Sequence, residues 1–97
     1  MHNVHTFVLW DPVKAKENLL RHGIRFSEAE GVLYDPMALT REDERSEGER
    51  RFVSIGMDHL ARIVVVVFSP RGEAVRLISA RSASRKERRQ YEERVRF

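Results

Sequence analysis

Apolar and polar positions change period several times along the chain, and each change marks an element. Residues 4–10 are rich in aromatic and β-branched side chains and predict a strand. Asp11-Pro12 then opens a helix, with Asp as N-cap and Pro at the first helical position, where its missing N–H costs nothing. That helix runs to about His22; Ala15, Leu19 and His22 share a face, and Gly23 supplies the left-handed stop. Ser27 with Glu30 reads as a capping box for a second helix with Ala29, Val32 and Leu33 as its apolar stripe, and Asp35-Pro36 ends it. Residues 37–40 predict a short strand. Residues 41–50 hold no large apolar side chain and five acidic ones (Glu42, Asp43, Glu44, Glu47, Glu49), which predicts a long surface loop.

Three further strands are predicted over residues 51–57, 62–68 and 74–80, the last two joined by a turn at Ser69-Pro70-Arg71-Gly72-Glu73. The run from Ile63 to Phe68 is apolar on both faces and suits a central, doubly covered strand. Ser84 and Glu87 form another capping box, opening a helix to about Val95. Its only sizeable apolar residues, Tyr91 and Val95, are too few for a broad buried stripe. The pattern predicts an α+β fold: a mostly antiparallel four- to five-stranded sheet, two N-terminal helices and one C-terminal helix.

At 97 residues the chain has room for one domain, spanning residues 1–97. The absence of cysteine excludes disulfides, thiolate nucleophiles and cysteine-ligated metals, and makes a cytoplasmic location the simplest expectation. The six-residue apolar run is far short of a membrane span, and the first residues lack the pattern of a secretory signal. The net charge of +3 divides into −3 over residues 1–50, +1 over 51–70 and +5 over 71–97. Such a basic tail fits either a face that meets a polyanion or a solvated, arginine-rich helix.

Several short blocks share their order with a known family. They are Trp10-Asp11-Pro12 with Lys14, Ala15 and Asn18; Arg21-His22-Gly23; Phe26 with Ala29; Asp35-Pro36; Glu47-Gly48-Glu49-Arg50-Arg51-Phe52; Ile55-Gly56-Met57; Arg62 before the valine run; Ile78-Ser79-Ala80-Arg81-Ser82-Ala83; and Glu87-Arg88-Arg89-Gln90-Tyr91-Glu92. In these blocks the chain resembles the BrnT family of ribonuclease toxins from type II toxin–antitoxin systems. Arg21 stands where a lysine is common, and residues 1–6 extend past the usual start. The resemblance implies a RelE-like fold and a toxin that inhibits translation by cleaving RNA, with no metal and no other cofactor. It also implies neutralisation by a ribbon-helix-helix antitoxin in a hetero-oligomer, with DNA contacted only through that partner and no membrane involved.

Cleavage by a ribose 2′-OH needs a base, an acid and cations around the phosphate. Arginine suits the last role because its planar fork grips phosphate oxygens. Arg81 is the first candidate, its alternative being an ion pair with Glu87. Arg62 and Arg51, at strand starts, are either cationic site residues or solvated charges. His22 has a suitable intrinsic pKa but can equally cap its helix. Tyr91 is either a proton donor or the apolar anchor of the last helix, and Glu49 or Glu47 is a candidate base. Arg85, Lys86, Arg88 and Arg89 form a candidate RNA-binding surface, with Trp10 either stacking a base or filling the core. His2 and His5 are spaced i, i+3 in a terminal strand where no metal site is expected, and His59 falls in a solvated turn. The thin apolar stripe of the last helix is expected to stay partly open for the antitoxin. A non-catalytic RNA-binding domain and a partner-presenting scaffold are the alternative functions.

Overall fold

A strand that is apolar on both faces needs cover on both, and the valine run has it. In the computed structural model, which describes residues 7–96, β4 (Ile63–Arg71) is the middle strand of a five-stranded sheet ordered β1-β5-β4-β3-β2. The others are β1 (Phe7–Leu9), β2 (Leu39–Glu42), β3 (Phe52–Met57) and β5 (Ala74–Ser82). Three pairings are antiparallel, while β1 lies parallel to β5 at an edge. His2, His5 and the start of the predicted first strand lie outside the described residues.

Side chains alternate across the sheet, so register decides what each face carries. One face is closed by α1 (Pro12–His22), α2 (Phe26–Ala29) and the 3-10 turn Glu30–Tyr34, burying Ile24, Phe26 and Val32 against Val64, Val66 and Leu77. The opposite face presents Leu39, Ile55, Val65 and Arg81 in one cross-strand row and Arg41, Val53, Val67 and Ser79 in the next. Among the described residues it is α3 (Arg85–Val95) that packs there, against β3. Ile78 is an extra residue in β5, because Val67 pairs with Ser79 while Phe68 pairs with Leu77. This bulge returns Arg76 to the open face beside Ser69.

The helix ends follow the local chemistry. Asp11 Oδ1 accepts from Val13 N–H at 2.9 Å, and Gly23 closes α1 at φ +73°. The Ser84–Glu87 capping box is present with both of its hydrogen bonds. The Ser27–Glu30 box is not: α2 begins at Phe26 with Arg25 at the cap and no side-chain cap bond. The backbone N–H groups of Glu28 and Ala29 already donate to Arg25 C=O, so the helix has closed before Ser27 can cap it. Burial of Ile24 and Phe26 directly after the Gly23 turn sets that early start. The acidic loop is also shorter than predicted, because Arg41 and Glu42 pair with Val53 and Phe52. Likewise β4 and β5 run on to a two-residue turn, Gly72-Glu73, with Gly72 at φ +61°.

Strand β1 covers β5 only at Ala74–Arg76. Beyond it, Asn18 of α1 takes the place of a missing strand. Its Oδ1 accepts from Ala80 N–H at 3.0 Å, and its Nδ2 donates to Ala80 C=O at 2.9 Å and Ile24 C=O at 3.1 Å. Replacing buried Asn18 by leucine strands these backbone groups, at about 1–3 kcal/mol each. The expected result is a thermal midpoint lowered by at least ~10 °C in circular dichroism.

Candidate functional site

α3 is held at its middle by Tyr91, which is 4% exposed and donates its hydroxyl to Asp35 Oδ2 at 2.6 Å. Burial and the Asp35 carboxylate push the phenol up to about 12. The stripe expected to stand partly open is thus closed at Tyr91, because the ring fills the gap beneath α3 and its polar tip has a half-buried acceptor. Tyr91 anchors the helix and presents no hydroxyl to the open face.

At the near end of α3, Arg81 stands on the open face with its side chain 44% exposed. Its Nη1 and Nη2 donate to the two oxygens of Glu87 at 2.8 and 2.9 Å, and Nη1 also reaches Ser82 C=O at 3.3 Å. The ion-pair alternative is therefore realised, but it uses only the end of the guanidinium. The Nε–H and one Nη2 hydrogen, a second fork, have no acceptor among the described residues, and such a fork matches two phosphate oxygens. The Arg81 hydrogen bonds draw Glu87 down to about 2, and the same pairing raises Arg81 further above its ordinary value. Glu87 Oε1 also accepts from Ser84 N–H, so one carboxylate both caps α3 and aims Arg81.

Two depressions flank Arg81. Between α3 and β2–β3 lies a groove of about 440 Å³ with Leu39, Val53 and Ile55 among its lining and Arg41 and Lys86 at its sides. Ser79, two positions from Arg81 on the same face, also borders a groove of about 670 Å³ beside α1, where Lys14, Arg21 and His22 project. The exposed His22 is thus on the far wall of a groove that reaches the row next to Arg81.

A second cationic cluster occupies the other end of the open face. Glu49 accepts from Arg76 Nη2 at 2.7 Å (Oε2) and from Arg71 Nη2 at 3.0 Å (Oε1). Arg51 and the Ser69 hydroxyl complete its shell at 3.3–3.4 Å. The Arg76 hydrogen bond, helped by Ser69 and Arg51, outweighs burial and holds the Glu49 carboxyl below its usual range. A carboxylate so held is poorly matched to proton abstraction near neutrality. Arg71 and Arg76 were missed in the sequence, since only the β4–β5 register and the Ile78 bulge bring them to Glu49. Glu47 is exposed on the same loop.

The remaining candidates lie apart. Arg62 precedes Ile63 and so points to the helix-covered side, where it donates to Asp58 (Nε to Oδ2, 2.9 Å) and Glu28 (3.1 Å). The sheet separates it from Arg81, and its bonds tie the β3–β4 turn to α2. Trp10 is half-buried with its ring edge-on to Phe26 at 5.9 Å, as a core residue is. His59 is half-exposed and stacks on Tyr34. Arg85, Lys86, Arg88 and Arg89 are exposed with no ion-pair partner among the described residues. Among those residues no three His, Cys, Asp or Glu side chains are placed to hold a metal ion, and no helix is long and apolar enough to cross a membrane.

Residues 10–87 match the sequence profile of a family described as the ribonuclease toxin BrnT of type II toxin–antitoxin systems. The chain is also similar to the Brucella abortus ribonuclease toxin BrnT, known from a 1.1 Å crystal structure. The two share 31% identity over 82% of this chain and 100% of that one, with a TM-score of 0.63. No curated protein matches the chain.

Proposed function

The chain belongs to the BrnT family of ribonuclease toxins of type II toxin–antitoxin systems, and we propose that it is an endoribonuclease working on its open sheet face with Arg81 at the centre. The observation that carries this reading is the free Nε/Nη2 fork of Arg81, steadied from behind by both oxygens of Glu87. A ribose 2′-OH attacks the adjacent phosphorus and the 5′-oxygen leaves, giving a 2′,3′-cyclic phosphate. Negative charge grows on the non-bridging oxygens during that step. A preorganised cation that cannot lose its proton stabilises the growth without solvent reorganisation.

His22 is the side chain we assign to proton transfer, since it is exposed on a groove that borders the Arg81 row. Lys14 and Arg21 beside it, with Arg85, Lys86, Arg88 and Arg89 on α3, bind the flanking phosphates. Arginine supplies the charge stabilisation, so the reaction proceeds without metal. In the cell, such cleavage inhibits translation. Family membership implies an antitoxin partner; we assign to it a ribbon-helix-helix domain and a seat over the cationic face, where it excludes RNA.

One observation favours a non-catalytic RNA-binding domain as the second reading. Glu49 and Glu87, the carboxylates paired with arginines on the open face, are held ionised by those guanidinium groups and are weak bases. Incubating the purified protein with single-stranded RNA in EDTA separates the two readings. Fragments ending in 2′,3′-cyclic phosphate are the expected result, whereas retention of intact RNA supports binding alone. A mere scaffold for the antitoxin would, in addition, fail to arrest growth when expressed without its partner.

A further inference from the structure

Arg51, Arg71 and Arg76 converge on one carboxylate, so the cluster at Glu49 carries a local excess of positive charge. Three features mark it as more than a tie between strands. First, it faces the same open sheet surface as Arg81. The two lie five residues apart on β5, a separation of ~15 Å at strand rise. Second, the Arg76 Nε is buried with no hydrogen-bond partner among the described residues, an uncommon condition for a guanidinium N–H. The carboxylate present therefore leaves the cluster's donors incompletely used, where a tetrahedral anion has more oxygens to offer. Third, Glu49 comes from the loop between β2 and β3, whereas Arg71 and Arg76 belong to strands. Arg71 and Arg76 are fixed by the sheet, while Glu49 and Arg51 sit on the loop segment that leads into β3.

We infer that Arg51, Arg71 and Arg76 form a second phosphate subsite for the backbone of single-stranded RNA, and that Glu49 occupies it as an internal substitute for phosphate until RNA displaces it. The inference rests on the reading of the open face as RNA-binding. A strand anchored at this subsite crosses Val67 and Ser79 to reach Arg81, which fixes where along the chain the scissile phosphate sits. Glu49 is thus a competitor of substrate, not its base. Its bonds to Arg76, Arg71, Arg51 and Ser69 reproduce the contacts that a phosphate group would make.

The test uses the full chain and a single-stranded 2′-O-methyl oligoribonucleotide, which lacks the attacking hydroxyl and cannot be cut. Binding is followed by fluorescence anisotropy across a salt series. Glu49→Gln is expected to tighten binding at least about tenfold, because an occluded site lowers apparent affinity by the fraction of time it is open. Arg71→Gln and Arg76→Gln are each expected to weaken binding and to flatten the slope of log K against log salt by about 0.7, the loss of one single-strand phosphate contact. A folded Glu49→Gln chain with unchanged or weaker affinity overturns the inference. If that variant does not fold, Arg71→Gln decides, since its half-exposed guanidinium lies next to the β4–β5 turn. An unchanged slope there overturns the subsite as well. Failure of the wild-type chain to bind the oligonucleotide removes the RNA-binding face itself, a result distinct from wild-type binding that ignores these substitutions.

Discussion

Replacing Arg81 by alanine is expected to lower the rate of RNA cleavage by about 10²–10³, the usual cost of deleting one preorganised charge-stabilising donor. The loss should fall on turnover more than on RNA affinity, because the cations of α3 and the Glu49 cluster remain. Arg81→Lys is expected to recover less than a tenth of the lost rate: an ammonium keeps the charge but cannot offer one fork to Glu87 and another to phosphate. Stability should change little. The pair is partly exposed and contributes ~1 kcal/mol at most, a shift of no more than about 8 °C. Glu87 continues to cap α3 through Ser84. Cyclic-phosphate product formation by the folded variants is the measurement. A folded Arg81→Ala chain that cleaves at the wild-type rate would remove Arg81 from the reaction.

The same experiment carries a pH expectation. Glu87 titrates at about 2 in the folded chain, below its ordinary 4.5. Its contribution to orienting Arg81 and to stability is therefore complete above the ordinary value and disappears only as pH falls through the lower one. Cleavage should accordingly show no acid limb from Glu87 between pH 5 and pH 8. His22→Gln, which removes the side chain assigned to proton transfer, should lower the cleavage rate by about 10²-fold or more while leaving RNA affinity in place.

What could be seen in the sequence was whatever short-range chemistry decides. Asp11-Pro12, Gly23 and the Ser84–Glu87 pair each satisfy orphan backbone groups within a few residues, so their helix ends came out as predicted. The valine run announced a central strand because no other placement covers both of its faces. The Ser27 cap failed for the complementary reason: burial of Phe26, a tertiary demand, started the helix before its polar signal. The site was harder still. Arg81 was legible because its neighbours matched a family block, and its partner Glu87 is only six residues away. Arg76 reaches Glu49 across 27 residues, and a single bulge at Ile78 sets which face it takes. Arg62, given equal standing with Arg51 as a strand-start cation, lies on the other side of the sheet because parity places it there. Such distinctions depend on register, and composition and spacing do not contain register.

Asp35→Ala is expected to destabilise the chain strongly, by about 3–5 kcal/mol, because it removes the charged acceptor of three donors, among them the hydroxyl of buried Tyr91. Asp35 stands where three elements meet. Its Oδ1 accepts from Met37 N–H at 2.9 Å, and its Oδ2 accepts from Met57 N–H at 2.8 Å and from the Tyr91 hydroxyl at 2.6 Å. Among the described residues no other group accepts from the Tyr91 hydroxyl, so alanine leaves it buried without an acceptor. The thermal midpoint should fall by ~15–25 °C. Tyr91→Phe, which deletes one donor and keeps the ring, should cost only about 1–1.5 kcal/mol. Charge matters as well as bonding. Burial works against ionisation of Asp35, but the hydrogen bonds from Tyr91, Met57 and Met37, with Arg94 nearby, outweigh it and hold the carboxyl below its ordinary range. Its stabilisation is therefore present above the ordinary carboxylate value, ~3.9, and fades as pH drops through the lower folded value. The stability gap between wild type and Asp35→Asn should be widest at neutral pH and narrow below about pH 4 in urea titrations. A gap that stays constant down to pH 3 would show that hydrogen bonding alone, without charge, holds α3 down. The consequence reaches the reaction, because the helix that Asp35 anchors through Tyr91 carries Glu87 one turn earlier. Asp35→Ala should thus lose cleavage activity at temperatures below its own melting, as α3 loosens and the Arg81 fork loses its aim.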